Sequence, residues 1–135
     1  DLGEPESVDM VLTFRNLHGW VQDGIAADIL ADFYNVLKPG GTLGIVQHRA
    51  DPDADPQKSA EQGYVPEKHV RELARNAGFV FQAASQVNAN PADTHDHPEG
   101  VWTLPPSLRL GEENKEKYLA IGESDRMTLR FKKPE

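Results

Sequence analysis

Two imidazoles stand just past the ends of apolar runs. His18 closes the segment Arg15-Asn16-Leu17-His18 after Val8–Phe14, and His48 directly follows Thr42–Gln47. An imidazole titrates near neutral pH, so either can accept a proton from a reacting oxygen or nitrogen. Either can equally cap a helix or bond backbone. Trp20, Arg49, Tyr64, Trp102 and Arg126 are the groups around them able to contact a small substrate; Trp20 can equally be a packing aromatic near a helix start. Other chemistries fit less well. Asp93, His95, Asp96 and His97 offer metal-binding atoms, but the histidine spacing suits no helical ligand pair, and Asp51, Asp53 and Asp55 lack a calcium loop with its terminal Glu. No metal is expected. The chain has no cysteine, which excludes thiolate nucleophiles, disulfides and cysteine-ligated zinc.

Elements must bring these residues together. Val8–Phe14 is a continuous apolar run broken only by Asp9 and Thr13, which reads as a strand buried on both faces. From Gln22 to Leu37 the apolar residues Ile25, Ile29, Leu30, Phe33, Val36 and Leu37 recur at helical spacing, and Pro39-Gly40-Gly41 is expected to stop that helix. Thr42–Gln47 is the next buried strand, and His48 to Gly63 a polar loop. Pro66 opens a helix closed by Gly78, and Phe79–Val87 is a third strand. Residues 88–125 form a long, mostly irregular segment with a short helix from Glu112 to Ile121. Met127–Phe131 is the last strand.

Strands linked by helices run parallel with right-handed crossovers. Ligands of such sheets sit outside the carboxyl ends of the strands. That edge collects Arg15, Asn16, His18 and Trp20, then His48 and Arg49, with Tyr64 nearby. The last strand starts there, so residues 88–125 hang over the edge as a lid carrying His95, His97, Trp102 and Arg109, and Arg126 follows. Trp102 with Leu104-Pro105-Pro106 is either an apolar lid or a loop anchored on the core. Both crossovers advance the same way, placing the helices on one face and leaving the other face of the half-sheet bare. The missing cover is an N-terminal half, a second copy of the chain or an exchanged segment.

Ser7-Val8-Asp9-Met10-Val11, then Arg15-Asn16-Leu17-His18, then Leu37-Lys38-Pro39-Gly40-Gly41 before a buried strand, in this order and spacing, resemble the second half of a class I S-adenosylmethionine-dependent methyltransferase. The resemblance covers nearly the whole chain. It implies an α/β fold made of strands four to seven of a Rossmann-like sheet: three parallel strands plus one antiparallel strand inserted between the fifth and sixth. Residues 1–135 are then a partial domain, with 88–125 as its lid. It further implies S-adenosylmethionine as cofactor, with Phe14, Arg15 and Asn16 at the cofactor site, and a small-molecule methyl acceptor; no catalytic residue is common across the family, so His18 and His48 remain catalytic candidates on their chemistry and position alone. The family's glycine-rich loop and acidic ribose ligand would precede Asp1, so this chain alone is expected to bind the cofactor weakly or not at all. A non-catalytic assembly module is the alternative.

Composition narrows the partners. The 135 residues suit one domain, and 22 acidic against 14 basic residues give a net charge of −8. No basic run exists to grip nucleic-acid phosphates, and no apolar run is long enough to span a membrane. A second copy of the chain is an expected partner, and a cytoplasmic location is expected, with export of a longer parent left open.

Overall fold

The computed structural model describes residues 2–135; Asp1, part of the expected lead-in loop, lies outside them. The chain runs β1 (Val8–Phe14), α1 (Leu17–Gln22), α2 (Ala26–Val36), β2 (Leu37–His48), α3 (Pro56–Glu61), α4 (Glu67–Ala77), β3 (Val80–Ser85), α5 (Lys115–Ile121) and β4 (Arg126–Lys132). The four strands make one sheet in the order β1-β2-β4-β3. β1 pairs parallel to β2, while β4 lies antiparallel to both β2 and β3. β1, β2 and β3 therefore share a direction, as expected. Only one ladder is parallel, however, because the inserted β4 separates β2 from β3.

One face of the sheet is closed. α2 and α4 lay Leu30, Phe33, Val70 and Ala74 against Leu43, Ile45, Leu129 and Phe131 in a single buried cluster. The opposite face is open. Met10, Leu12 and Phe14 of β1 are 55%, 54% and 54% exposed. They project beside Thr42, Gly44 and Val46, their register partners on β2. Gly44 leaves room for Leu12, since a Cβ there would stand 2.6 Å from Leu12 Cδ2. The strand expected to be buried on both sides is thus covered on one. Each such side chain contributes about 1.5–3 kcal/mol when fully buried, against a whole-domain stability of about 5–15 kcal/mol.

Several boundaries differ from the sequence expectation. The helix expected over Gln22–Leu37 is two helices, broken at Asp23-Gly24-Ile25, where Gly24 has φ +75°. Pro39-Gly40-Gly41 does not stop a helix. The chain passes from α2 straight into β2, and these residues form an irregularity in the ladder: Val8 pairs with Leu37 but Met10 with Thr42. Proline cannot donate to a ladder, and Gly40 takes φ +82°, so the segment bulges. The carbonyls ending α2 are capped from the far end of the chain, by Lys133 Nζ donating to Tyr34 O and Leu37 O, both at 2.8 Å.

Within the expected loop His48–Gly63 lies α3, whose start is set by Asp55. Its Oδ2 accepts the Lys58 N–H at 3.0 Å, with Pro56 at the first turn. Pro66 is the cap of α4 rather than its first residue, and Gly78 closes α4 at φ +111°. β3 and α5 are shorter than expected and β4 slightly longer.

The two faces of β1–β2 are expected to respond differently to truncation. Leu43→Ala, at a fully buried position, should cost about 2–5 kcal/mol in urea unfolding. Leu12→Ala, half-exposed on the open face, should cost less than about 1 kcal/mol.

Candidate active site

The carboxyl ends of β1 and β2 and the start of β4 lie side by side. Arg15 follows β1 and donates its backbone N–H to Val46 O at 2.7 Å. His48 ends β2 and is the register partner of Arg126 at the start of β4. Because Phe14, Val46 and Thr128 mark the open face, strand alternation puts His48 and Arg126 on that same side.

His18 reaches the edge from α1. Its ring lies 5.8 Å from that of His48 and 5.8 Å from that of Trp102, edge-on to the latter. Tyr64 stands 6.4 Å beyond His48. The structure therefore gathers both catalytic candidates with Trp102 and Arg126. Phe14, Arg15 and Asn16 are exposed at the end of β1. Asn16 precedes α1 without capping it through its side chain.

Three expected substrate contacts are occupied by the protein itself. Trp20 packs edge-on against Phe33 at 5.8 Å and belongs to the core rim. Arg49 donates Nε and Nη2 to the two carboxylate oxygens of Asp125 at 3.0 and 2.9 Å, and Nη1 to Glu67 at 3.2 Å. Tyr64 is buried and donates its hydroxyl to Asp93 at 3.0 Å. Burial first, and the Asp93 carboxylate second, raise the Tyr64 pKa and keep the phenol protonated.

Asp93 anchors the segment after β3. Its buried carboxylate faces His97 Nε2 at 2.9 Å and accepts the backbone N–H groups of His95 and Asp125, each at 2.9 Å. His95 bridges Asp51 at 2.6 Å and Asp125 at 3.2 Å. Asn90 Nδ2 donates to Ile121 O and Glu123 O, both at 2.7 Å. The expected lid over 88–125 is thus pinned to the body by polar contacts. Within it a 3₁₀ turn, Gly100–Thr103, presents Trp102 to His18. Among the described residues, no three His, Asp or Glu side chains gather as a metal site, and no helix is long and apolar enough to cross a membrane.

The protonation of the histidine pair is set by its neighbours. Gln47 is fully buried, and its Oε1 accepts the His18 backbone N–H at 3.3 Å. Its Nε2 donates to Gly63 O at 2.9 Å and faces His18 Nδ1 at 3.1 Å. With the amide oriented this way, His18 Nδ1 accepts and Nε2 carries the ring proton. Burial lowers the His18 pKa, partly offset by the Gln47 bond. His48 Nδ1 bonds Ser124 Oγ, which also accepts from Arg126 Nε at 3.2 Å. Burial above all, then Arg126, His18 and Arg15, push the His48 pKa down to about 3.

Gln47 and Ser124 were missed as parts of this site, and Asp93 was weighed only as a metal ligand. Gln47 carried a signal, as a polar residue ending a buried apolar strand, where it must find partners. Ser124 is an ordinary loop residue until the fold brings it to His48, and nothing in the sequence pairs Asp93 with Tyr64.

No protein-family model matches the sequence, and a search of curated proteins gives no match. Solved structures do match in fold. The [4+2]-cyclase SpnF superposes with TM-score 0.65 at 16% identity, over 99% of this chain and 52% of that one. A 1,6-didemethyltoxoflavin-N1-methyltransferase of Burkholderia thailandensis, bound to 1,6-didemethyltoxoflavin and S-adenosylhomocysteine, gives 0.60 at 17% identity, over 100% and 48%. Phosphoethanolamine N-methyltransferase 2 of Haemonchus contortus, in complex with S-adenosyl-L-methionine, gives 0.57 at 18% identity, over 98% and 34%. The chain has the fold of part of these proteins and spans about half the length of the first two or less.

A histidine that is neutral when folded and charged when unfolded makes stability fall with acid. An unfolded histidine titrates near 6.5, whereas folded His48 stays neutral to about pH 3. In that window the unfolded chain binds the extra proton. The contribution of His48 is fully present above about 6.5 and is lost at about 1.4 kcal/mol per pH unit below it. Between about pH 7.5 and 5, His48 should account for about 2 kcal/mol of lost stability in urea unfolding. His48→Gln should flatten the profile by that amount.

Proposed function

We propose that this chain is the C-terminal half of an S-adenosylmethionine-dependent methyltransferase acting on a small molecule, and that by itself it binds the cofactor weakly or not at all. The observation that carries the reading is the strand order β1-β2-β4-β3 with an antiparallel strand inserted beside β2. The reading is supported by the superposition with the cofactor-bound methyltransferases named above, which extends over nearly the whole chain.

The residues present fit one wall of a cofactor site. Phe14 is 54% exposed and, with Arg15 and Asn16, it ends β1 at the mouth of the open face, offering an apolar surface beside polar groups. The opposite wall would be a glycine-rich loop cradling the polar part of the ligand. The sequence contains no Gly-x-Gly-x-Gly. When bound, the cofactor supplies a methyl group on an electrophilic sulfonium. The work left to this chain is to position the acceptor and keep water away.

His18 and Trp102 form the face against which the acceptor rests. Gln47 holds the imidazole with the proton on Nε2, so His18 donates a hydrogen bond to the acceptor instead of taking its proton. His48 is neutral and weakly basic, and it steadies Ser124 and Arg126 beside the acceptor. Trp20, Arg49 and Tyr64 hold the scaffold.

A second reading, an assembly module that docks through the open face, is favoured by the exposed row Met10, Leu12 and Phe14. One pair of measurements separates the two. By calorimetry, S-adenosylhomocysteine should give little or no heat with this chain alone. It should bind a longer polypeptide that carries the chain behind a glycine-rich strand–loop–helix half. Absence of binding to that polypeptide would remove the enzyme reading. A chain that stays monomeric in sedimentation would remove self-assembly.

A further inference from the structure

The edge that would hold the acceptor is one-sided in charge. In a chain of net charge −8, two cations flank the neutral His48 at this edge: Arg126 is its register partner, and Arg15, just after β1, is near enough for its charge to act on the imidazole. Neighbouring strands lie about 5 Å apart, so the groups after β1 and at the start of β4 flank His48 within reach of one small molecule.

The inventory of hydrogen-bonding groups points the same way. The guanidinium of Arg15 has no hydrogen-bond or ion-pair partner among the described residues, although the residue is held at φ +60°. A left-handed arginine costs roughly 1 kcal/mol or more, and such strain concentrates where a ligand is met. Arg126 uses Nε on Ser124 Oγ and Nη2 on Glu123 Oε1, both at 3.2 Å, which leaves Nη1 unengaged. Glu123 is exposed at the rim, whereas the Arg126 side chain is 15% exposed. His18 adds an Nε2–H on the side of its ring away from Gln47, with no protein acceptor among the described residues.

The carboxylates in the neighbourhood are spent elsewhere. Asp93 is enclosed by Tyr64, His97 and backbone, and Asp125 is taken by Arg49 and His95. Donors and positive charge thus face the mouth of the site, and the one carboxylate beside them, Glu123, is paired with Arg126 at the exposed rim.

We infer that the small molecule held at this edge is anionic, and that its oxyanion is bound between Arg15 and Arg126 with His18 as a third donor. This names the substrate class within the methyl-transfer reading. The anion site itself is built entirely from this chain. A planar carboxylate or a phosphoryl group both suit two guanidinium groups; the shared chemistry is an oxyanion.

The test is a titration of the ¹⁵N-labelled chain with benzoate, phenyl phosphate and the neutral isostere benzamide, following the arginine Nε–H and histidine ring signals. Saturable shifts of Arg15, Arg126 and His18 are expected with one or both anions and not with benzamide. Arg15→Gln should weaken anion binding about tenfold, the loss expected for one charge-assisted hydrogen bond, with the backbone spectrum otherwise retained. Arg126→Lys, which keeps the charge but loses the fork, should weaken it less.

Benzamide binding as tightly as benzoate, unchanged affinity in Arg15→Gln, or no shift with either anion would each overturn the proposal. Whichever anion binds more tightly identifies the class of oxyanion. Cofactor binding by the longer polypeptide is measured separately. If it fails while the anion titration succeeds, the methyl-transfer reading is lost and the anion site stands. The reverse result removes only the anion site.

Discussion

The Asp93 carboxylate holds the functional edge together. A buried carboxylate is costly unless donors surround it. Here they come from separate parts of the chain: the Tyr64 hydroxyl ahead of α4, the imidazole of His97, and the backbone N–H groups of His95 and Asp125. Satisfying one charge therefore fixes the path of the long connection and the entry into β4. Ser124 and Arg126 take their places as a result, and His48 is buried against them. The burial that suppresses the basicity of His48 follows from that path, while the Asp93 charge itself acts weakly the other way. Loop segments that carry function usually rely on a rigid frame; this one brings its own polar anchor.

The first two strands were legible because their apolar runs are nearly continuous. Val8–Phe14 appears with the same limits in sequence and structure. The inserted antiparallel strand was legible only through family resemblance, since no local pattern encodes which strands become neighbours. The helix break at Gly24 was hidden because the apolar periodicity of Ile25, Ile29, Leu30 and Phe33 runs on to the end of α2. Pro39-Gly40-Gly41 shows the converse. Turn chemistry is real there, but a bulge and a turn demand the same residues. α3 was missed although Asp55-Pro56 is a cap followed by a helix opener, because an acidic, proline-containing stretch also reads as loop. For the site, topology was enough to bring His18, His48, Trp102 and Arg126 to one edge. Their partners were not visible: Gln47 with His18 and Ser124 with His48 are pairings across distant sequence that only packing creates.

The two sides of the sheet divide the labour. The closed side holds the aliphatic and aromatic cluster that gives the molecule its rigidity. The open side carries Met10, Leu12 and Phe14 and leads, at its carboxyl edge, to the charged mouth of the site. Apolar surface and polar chemistry are thus continuous on one side. A polypeptide that covered the bare row would also stand beside Phe14, Arg15 and Asn16 at the end of β1. On the proposed reading, that contact would supply stability and a ligand wall together.

The central position of β4 sets the order in which the fold can be completed. β3 makes its ladder with β4 alone, and β2 receives its second neighbour only from β4. A chain emerging from the ribosome displays β1, β2 and the crossover helices well before the strand that knits β3 to them exists. Until then β3 and one margin of β2 are unpaired, and the α2 carbonyls wait for the ammonium of Lys133. Vectorial synthesis therefore cannot build this sheet piece by piece from the amino end. The central joint closes last, and a nascent chain spends the interval with adhesive edges exposed to its neighbours and to chaperones.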